Sequence, residues 1–335
     1  MILLAGIPSE TPLEMVGDAL DALGAEYRFV NQRHVAGSAI DWISDATGVS
    51  GTLRMGDETI DLTTVTGAYM RLMDDRVLPE LEGLAPDDPA RAHSRAFHEA
   101  LFRWSEVSSA RVVNRSEPQG SNGSKPYQAQ LIARHGLLPP PTLITNDPEA
   151  VLAFRAEHGA IVYKSISAVR SIVKTLDDED MARLERIGWC PVQFQAAIPG
   201  TNIRVHVVGD AVFPTWIEST HVDYRYAKRQ GGSTELTAHT LPDEIAARCV
   251  ALTADLGLAF AGIDLKLTPD GDYYCFEVNP SPAFSYFEAN TGQPIAAAVA
   301  RYLAGPFAES RPRGGRKEEA QGLIRGRCGA MCAPC

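Results

Sequence analysis

The chain has 335 residues, of which 45% are hydrophobic and 22% charged, ordinary values for a water-soluble globular protein with room for two or three cored domains. Its formal net charge of -11 argues against a general nucleic-acid binder, whose affinity would come from basic patches. No apolar run approaches the roughly 20 residues a membrane helix needs, and "MILLAGIPSE" lacks the basic flank of a signal peptide. The expected location is therefore the cytoplasm, with no membrane partner.

Taken in chain order, "MILLAGI" predicts a first buried strand and "PLEMVGDALDALG" a helix closed by Gly24. "AEYRFVN" predicts a second strand and "TLRMGDETIDL" a hairpin around Gly56-Asp57. "VTGAYMRL" predicts a buried strand ending at Arg71. A long helix follows through "DDPARAHSRAFHEALFRW", with Asp87 or Asp88 as its cap and Pro89 in its first turn. "RVVN" adds a short strand, so residues 1–115 form an open α/β unit. The Gly/Ser/Pro-rich "RSEPQGSNGSKP" marks a boundary. Residues 116–190 are expected to hold a helix, the strand "AIVYKSI", a loop and the helix "DEDMARLERIG". A third unit, 191–305, opens with "VQFQAAI" and continues as the hairpin "NIRVHVVGDAVFPTWIEST" turning at Gly209-Asp210. A helix over "DEIAARCVALTADLG" and a closing helix over "PIAAAVARYLA" complete it.

Residues 306–335 have the composition of a disordered tail. Its Cys328, Cys332 and Cys335 have a spacing formally suited to an iron–sulfur cluster, but nothing follows them to enclose a cofactor. Cys190, Cys249 and Cys275 lie in apolar surroundings without the spacing of a disulfide framework.

The segment "GIDLKLTPDGDYYCFEVNP", residues 262–280, carries the most unusual chemistry. Ile263, Leu265 and Leu267 alternate with polar residues, and so do Tyr274, Phe276 and Val278. Joined at Pro269-Asp270-Gly271, the two runs predict an antiparallel hairpin pairing Leu265 with Phe276 and Ile263 with Val278. A loop of two or four residues has the necessary parity. Asp264 then lies directly opposite Glu277, with Asn279 two residues further along the same face. Like charges so placed are destabilising and call for a cation. Lys266 could neutralise them from the neighbouring position. Two carboxylates and an amide oxygen otherwise suit magnesium, with room for waters and phosphates.

The usual phosphate-binding motifs, G-x-x-x-x-G-K-[ST] and G-x-G-x-x-G, are absent, as are H-E-x-x-H and G-x-S-x-G. Two lysines stand out instead. Lys125 opens a helix, where a cation opposes the helix dipole, and Lys164 lies within the apolar strand "IVYKSI". An anionic ligand between the two units would account for both. Arg204 shares a strand face with His206 and could face the same cleft.

These segments, in order, resemble the ATP-grasp superfamily, most closely RimK-type ribosomal-protein glutamate ligases and the microviridin- and graspetide-type maturases that crosslink ribosomal peptides. The resemblance runs through "SKPYQAQLIARHGLLPPPTLIT", "VYKSIS", "VQFQAAIPGTNIRVHVVGD", "GIDLK" and "EVNPSPAF", over roughly residues 110–305. "TGAYMRL" resembles the segment preceding the ATP-grasp unit in the peptide maturases. The resemblance implies an α/β (α+β) ATP-grasp fold behind an N-terminal pre-ATP-grasp α/β domain, with 116–190 and 191–305 as its two subdomains. It implies ATP between those subdomains, with Lys125 and Lys164 at the phosphates and Gln193 and Gln195 near the adenine. Asp264, Glu277 and Asn279 would hold Mg2+, or Mn2+ as an alternative, and Arg204 would steady the transferred phosphoryl group. Arg225 in "HVDYRYAKR" would face the acceptor. The sequence departs from the pattern at Ala196, often glutamate, and at Asn202, often aspartate. Its loop "SISAVRSIVKT" lacks the usual glycines, leaving Ser167 or Arg170 to act there.

The implied activity joins a carboxylate to an amine or hydroxyl through an acyl phosphate, with a peptide or amino acid as partner and a homo-oligomer left open. A small-molecule carboxylate–amine ligase of the glutathione- or dipeptide-forming kind is the alternative. A nucleotide-binding regulatory module without turnover is another, against which the retention of Asp264, Glu277 and Asn279 together counts.

Overall fold

The computed structural model describes residues 1–164, 173–219 and 234–305. Ser167, Arg170, Arg225, Cys328, Cys332 and Cys335 lie outside the described residues. The run "ILLAG" forms β1 (Ile2–Gly6), buried along its whole length, as expected of a strand covered on both faces of a parallel sheet. β2 (Tyr27–Asn31) pairs with one edge of β1 and β6 (Gly67–Met70) with the other, and β7 (Arg111–Val113) lies outside β6, all parallel. Helix α1 (Thr11–Ala22) connects β1 to β2, and α2 (Pro89–Val107) precedes β7. The Asp88 side chain accepts the Ala90 N–H at 2.8 Å, which makes Asp88 the cap of α2.

Between β2 and β6, strands β3 (Ser38–Asp45), β4 (Gly48–Met55) and β5 (Glu58–Asp61) form an antiparallel meander. Sequence reasoning found only its second hairpin. Trp42-Ile43 places apolar side chains on both faces of β3, and Ile43 is 67% exposed, so period two is blurred there.

The second sheet has the order β10-β9-β11-β8, from β8 (Thr142–Thr145), β9 (Ile161–Lys164), β10 (Lys174–Thr175) and β11 (Val192–Ala196). β11 was expected to open the third unit. It instead pairs with both β8 and β9, so the second unit extends past Ala196. Helix α5 (Pro148–His158) covers Phe194 and Ile161 from one face. The helix expected over "DEDMARLERIG" is only one turn, α6 (Asp178–Met181), followed by 3-10 geometry at Leu184–Trp189. Asp180, buried, accepts from Tyr163 and Arg183 and pairs with Lys174, so the turn is fixed to the sheet before a longer helix can extend.

The third sheet is antiparallel, in the order β14-β13-β12-β15-β16. It comprises β12 (Thr201–Val208), β13 (Ala211–Ser219), β14 (Thr234–Ala238), β15 (Phe260–Leu267) and β16 (Tyr273–Asn279). Helix α7 (Asp243–Asp255) buries one face with Val205, Ile263 and Cys249. The short α3 (Ser116–Gln119) and α4 (Lys125–Arg134) follow β7, and Leu131 and Ile132 of α4 join this same core. Residues near 125–137 therefore pack on the third sheet, although they precede the second in the chain. The other face meets α8 (Ser285–Thr291) and α9 (Ile295–Ala304), whose Val299 shares a core with Leu4, Leu13 and Phe260. No described helix is long and apolar enough to cross a membrane.

Two buried amides connect these layers. Asn114 donates to the carbonyls of Phe260 and Pro280 at 2.6 and 2.5 Å and accepts from the N–H groups of Ala259 and Phe260 at 2.8 and 3.0 Å. Gln128, 2% exposed, donates to the Val278 carbonyl at 2.9 Å and accepts its N–H at 2.8 Å. β16 is an edge strand, and Gln128 pairs with it as a neighbouring backbone would. Leu138 continues this pairing at Cys275 and Tyr273.

Gln128→Ala would leave both Val278 groups without partners, so a loss of about 2–4 kcal/mol is expected in denaturant unfolding. The exposed Gln130→Ala on the same helix should stay within about 0.5 kcal/mol of wild type. Equal midpoints for the two variants would remove Gln128 from this role.

Candidate active site

β15 and β16 pair Ile263 with Val278 and Asp264 with Glu277, as the alternation requires. The register then slips, and Leu265 faces Cys275 where Phe276 was expected. The turn supplies the reason. Its Gly271 N–H donates to Thr268 and its Thr268 N–H to Asp272, both at 3.0 Å, and Gly271 has φ +91°. The loop is thus odd in length, contrary to the even loop expected, and Phe276 is the extra residue that restores parity before Glu277. Without that bulge the two carboxylates would face opposite sides.

Each carboxylate meets a cation from another element. Arg204 on β12 pairs across the strands with Asp264 and donates to its Oδ1 at 2.7 Å. Lys125, the first residue of α4, reaches Glu277 Oε2 at 2.5 Å. Lys266 plays no part in this neutralisation. Its Nζ donates to the Ile198 carbonyl at 3.1 Å and lies 5.6 Å from the centre of the Phe276 ring, and burial lowers its pKa. Asn279 pairs with Gly262 on the carboxylate face, and its Oδ1 accepts the Ser281 N–H at 2.9 Å.

The glycine at 262 is a steric requirement. A Cβ there would lie 2.2 Å from Arg204 Nη2 and 2.8 Å from Pro282 Cβ. The guanidinium fills the space a side chain would take, which is the usual meaning of a glycine inside a strand. His206, on the same strand as Arg204, is fully buried and edge-on to Phe287 at 4.9 Å. Burial first, and then the Arg204 charge, hold its pKa well below the ordinary imidazole value.

The remaining candidates lie on the second sheet. Lys164 pairs with Gln193, and Gln195 with Val162, so all four side chains share one face. Lys164, Gln193 and Gln195 are 7%, 3% and 6% exposed. Gln195 donates to Thr142 Oγ1 at 3.1 Å, whereas the buried Gln193 Oε1 has no hydrogen-bond partner among the described residues. A buried acceptor of this kind costs stability unless a ligand donor meets it. Tyr163 and Phe194 point to the opposite face, where they line a separate cavity of about 260 Å³ with Leu184 and Ile187. The chain passes from β11 to β12 through residues 197–200. There Gly200, at φ +131°, packs so closely on Leu267 that a Cβ would lie 2.1 Å from its carbonyl oxygen.

The structure thus gathers Lys125, Arg204, Asp264, Glu277 and Asn279 into one cluster and Lys164, Gln193 and Gln195 into a second. No three His, Cys, Asp or Glu residues cluster as a metal site among the described residues. The donors available are two carboxylates and an amide oxygen, a set for a hard cation that keeps waters or phosphate in its shell.

Comparison with known proteins settles the family. Residues 124–303, more than half of the chain, match the RimK-like ATP-grasp domain. The chain belongs to that family. It is an ATP-grasp ligase. A probable alpha-L-glutamate ligase of Methanococcoides burtonii is 26% identical over 276 residues, covering 76% of this chain and 90% of its own. The macrocyclase MdnC of Microcystis aeruginosa, bound with precursor peptide MdnA, superposes with a TM-score of 0.73 at 25% identity, over 90% of this chain and 99% of its own. The ATP-grasp ligase PsnB, complexed with a phosphomimetic variant of its minimal precursor, Mg and ADP, gives 0.72 at 27% identity, over 90% and 97%. A D-alanyl-alanine synthetase of Vibrio cholerae shares the fold at 14% identity and a TM-score of 0.55.

Three residues that position the carboxylate cluster have roles the sequence did not reveal: Asn114, Gln128 and Gly262. Only Gly262 carried a signal, as a glycine interrupting an apolar strand. Gly262→Ala should fold cooperatively but displace Arg204, with ATP turnover falling on the order of 10²-fold. Unchanged turnover in a variant with normal melting would show that Arg204 needs no such space.

Proposed function

We propose that this ligase phosphorylates a side-chain or terminal carboxylate of a peptide and joins the activated acyl group to an amine or hydroxyl. The observation that carries the reading is the extent of similarity to MdnC, which includes the N-terminal strands as well as the ATP-grasp domain. MdnC is bound with its precursor peptide, and PsnB is complexed with a variant of its minimal precursor. A second reading, ligation of glutamate, is favoured by the alpha-L-glutamate ligase relatives.

The residues fit ATP with magnesium. The buried Gln193 Oε1 awaits a donor, which an adenine amino group would supply. Lys164 lies beside it on the same face, where a phosphate would meet a buried cation. Asp264, Glu277 and Asn279 would hold magnesium, which would offset charge on the phosphates during transfer. Lys125 would leave Glu277 for phosphate as that carboxylate turns to the metal.

The chemistry has two steps. A substrate carboxylate oxygen attacks the γ-phosphorus; the new O–P bond forms as the bond to the β–γ bridging oxygen breaks, and ADP leaves. The amine or hydroxyl then attacks the acyl carbon, the C–O bond to phosphate breaks, and the nucleophile's proton passes to phosphate or solvent. Arg204 would steady the γ-phosphoryl group. Arg225, outside the described residues, is retained as the candidate on the acceptor side.

ADP release across panels of amino acids and acidic peptides tests the reading. Peptide-dependent release is expected, and release with free glutamate alone would favour the second reading. Glu277→Gln should abolish magnesium-dependent turnover, and equal turnover would remove it from the metal set. Lys164→Met should weaken ATP about 10- to 100-fold, the loss of one charge-assisted contact, while adenosine affinity holds. Calorimetry with both ligands checks this, since an equal loss for both would indicate a damaged cleft.

A further inference from the structure

The N-terminal sheet brings a third cation to the carboxylate face. From β1 the chain leaves through α1 to β2 on one side, and β6 lies on the other side of β1. In open parallel sheets the crevice beyond the strand ends at such a reversal is where ligands bind. Arg71 stands there, one residue past β6, its N–H bonded to the Ala5 carbonyl at 2.8 Å. Gly6, at φ +154°, closes the other wall so tightly that a Cβ would lie 2.9 Å from the Arg71 carbonyl oxygen.

The side chain is held for a purpose that its own sheet does not explain. Glu10 occupies the cap position of α1 but makes no cap hydrogen bond. Its carboxylate instead grips Arg71, accepting from Nε at 2.9 Å and also from Nη2. The pair is partly buried, with side-chain exposures of 10% for Arg71 and 27% for Glu10. Nη1 points away from Glu10, and among the described residues it has only two contacts, both at 3.5 Å, to Tyr69 Oη and Ser281 Oγ. Both Nη1 N–H groups of the planar guanidinium thus reach acceptors only at the outer limit of hydrogen bonding, so a carboxylate at normal distance would displace these contacts. Ser281 follows Pro280 and bonds back to Asn279, which places that edge beside the candidate metal ligands. Arg204 and Lys125 are already bound to Asp264 and Glu277.

A substrate carboxylate must approach an anionic phosphate, so a cation is required on the substrate's side. We propose that Arg71, oriented by Glu10, seats the carboxylate that is to be phosphorylated, using the Nη1 edge that faces Ser281. This inference rests on the ligase reading above and adds the residue that selects an acid over its amide.

The test is calorimetry on protein loaded with magnesium and a non-hydrolysable ATP analogue. The probes are short capped peptides, each with one Asp or Glu, and their Asn or Gln twins. Wild type should prefer the acid by about 10- to 100-fold, as one charge-assisted contact predicts. Arg71→Met should bring the acid-to-amide ratio near one and leave affinity for the ATP analogue unchanged. Glu10→Gln combined with Arg71→Met removes both charges together and serves if the single variant does not fold. The same ratio in wild type and variant, or no preference in wild type, overturns the proposal. ADP release with the same peptides is separate. Selective binding through Arg71 without release would overturn the ligase reading and leave the Arg71 contact standing.

Discussion

Two carboxylates placed directly opposite each other on a hairpin are the constraint around which this structure is organised. At about 5 Å and an effective dielectric near 20, their repulsion is roughly 3 kcal/mol. Each is met by a cation, Arg204 on Asp264 at 2.7 Å and Lys125 on Glu277. With charge centres about 4 Å apart at that dielectric, one such contact is worth roughly 4 kcal/mol before desolvation, enough to offset the repulsion without metal. The arrangement is sustainable only while several elements stay in place. Arg204 needs the gap left by Gly262. Lys125 needs α4 held against β16, which the Gln128–Val278 pairing provides. Glu277 needs the Phe276 bulge to appear on the correct face.

The N-terminal unit takes part in the same construction. Asn114 lies at the end of β7, yet the four hydrogen bonds of its side chain go to the start of β15 and to Pro280 just after β16. Helix α9 contributes Val299 to a core shared with Leu4 and Leu13. The hairpin that carries the carboxylates is therefore fixed at its open end by a different sheet from its own. A small displacement of β7 would be felt at Asn279.

Much of this was legible in the residues. Period-two alternation located β12, β15 and β16 and predicted the Asp264–Glu277 pairing, because one buried face fixes register. The helices α1, α2, α7 and α9 were legible for the corresponding reason at period 3.6. The bulge was not, because an odd loop compensated by an extra residue gives the same pairing at Glu277 as an even loop. Lys266 was the nearest cation in sequence, but side-chain reach is set by tertiary placement, and Arg204 and Lys125 come from 60 and 152 residues away. β11 was assigned to the wrong sheet since "VQFQA" shows that a strand exists without showing its neighbours. Gln128 and Asn114 looked like ordinary polar residues, for an amide that imitates backbone leaves no pattern.

The closed edge of β16 bears on how such chains can be recombined. Gln128 and Leu138 occupy its outer hydrogen-bonding positions, yet both precede the second sheet in the chain. A segment exchanged between relatives from residue 197 onward would arrive with that edge bare, ready to pair with another copy. A crossover after β7, carrying α3, α4 and the Leu138 strand end together with the third sheet, keeps the edge and its cover from one parent. The inheritable block is thus discontinuous with respect to the sheets: it begins before the second one and ends after the third.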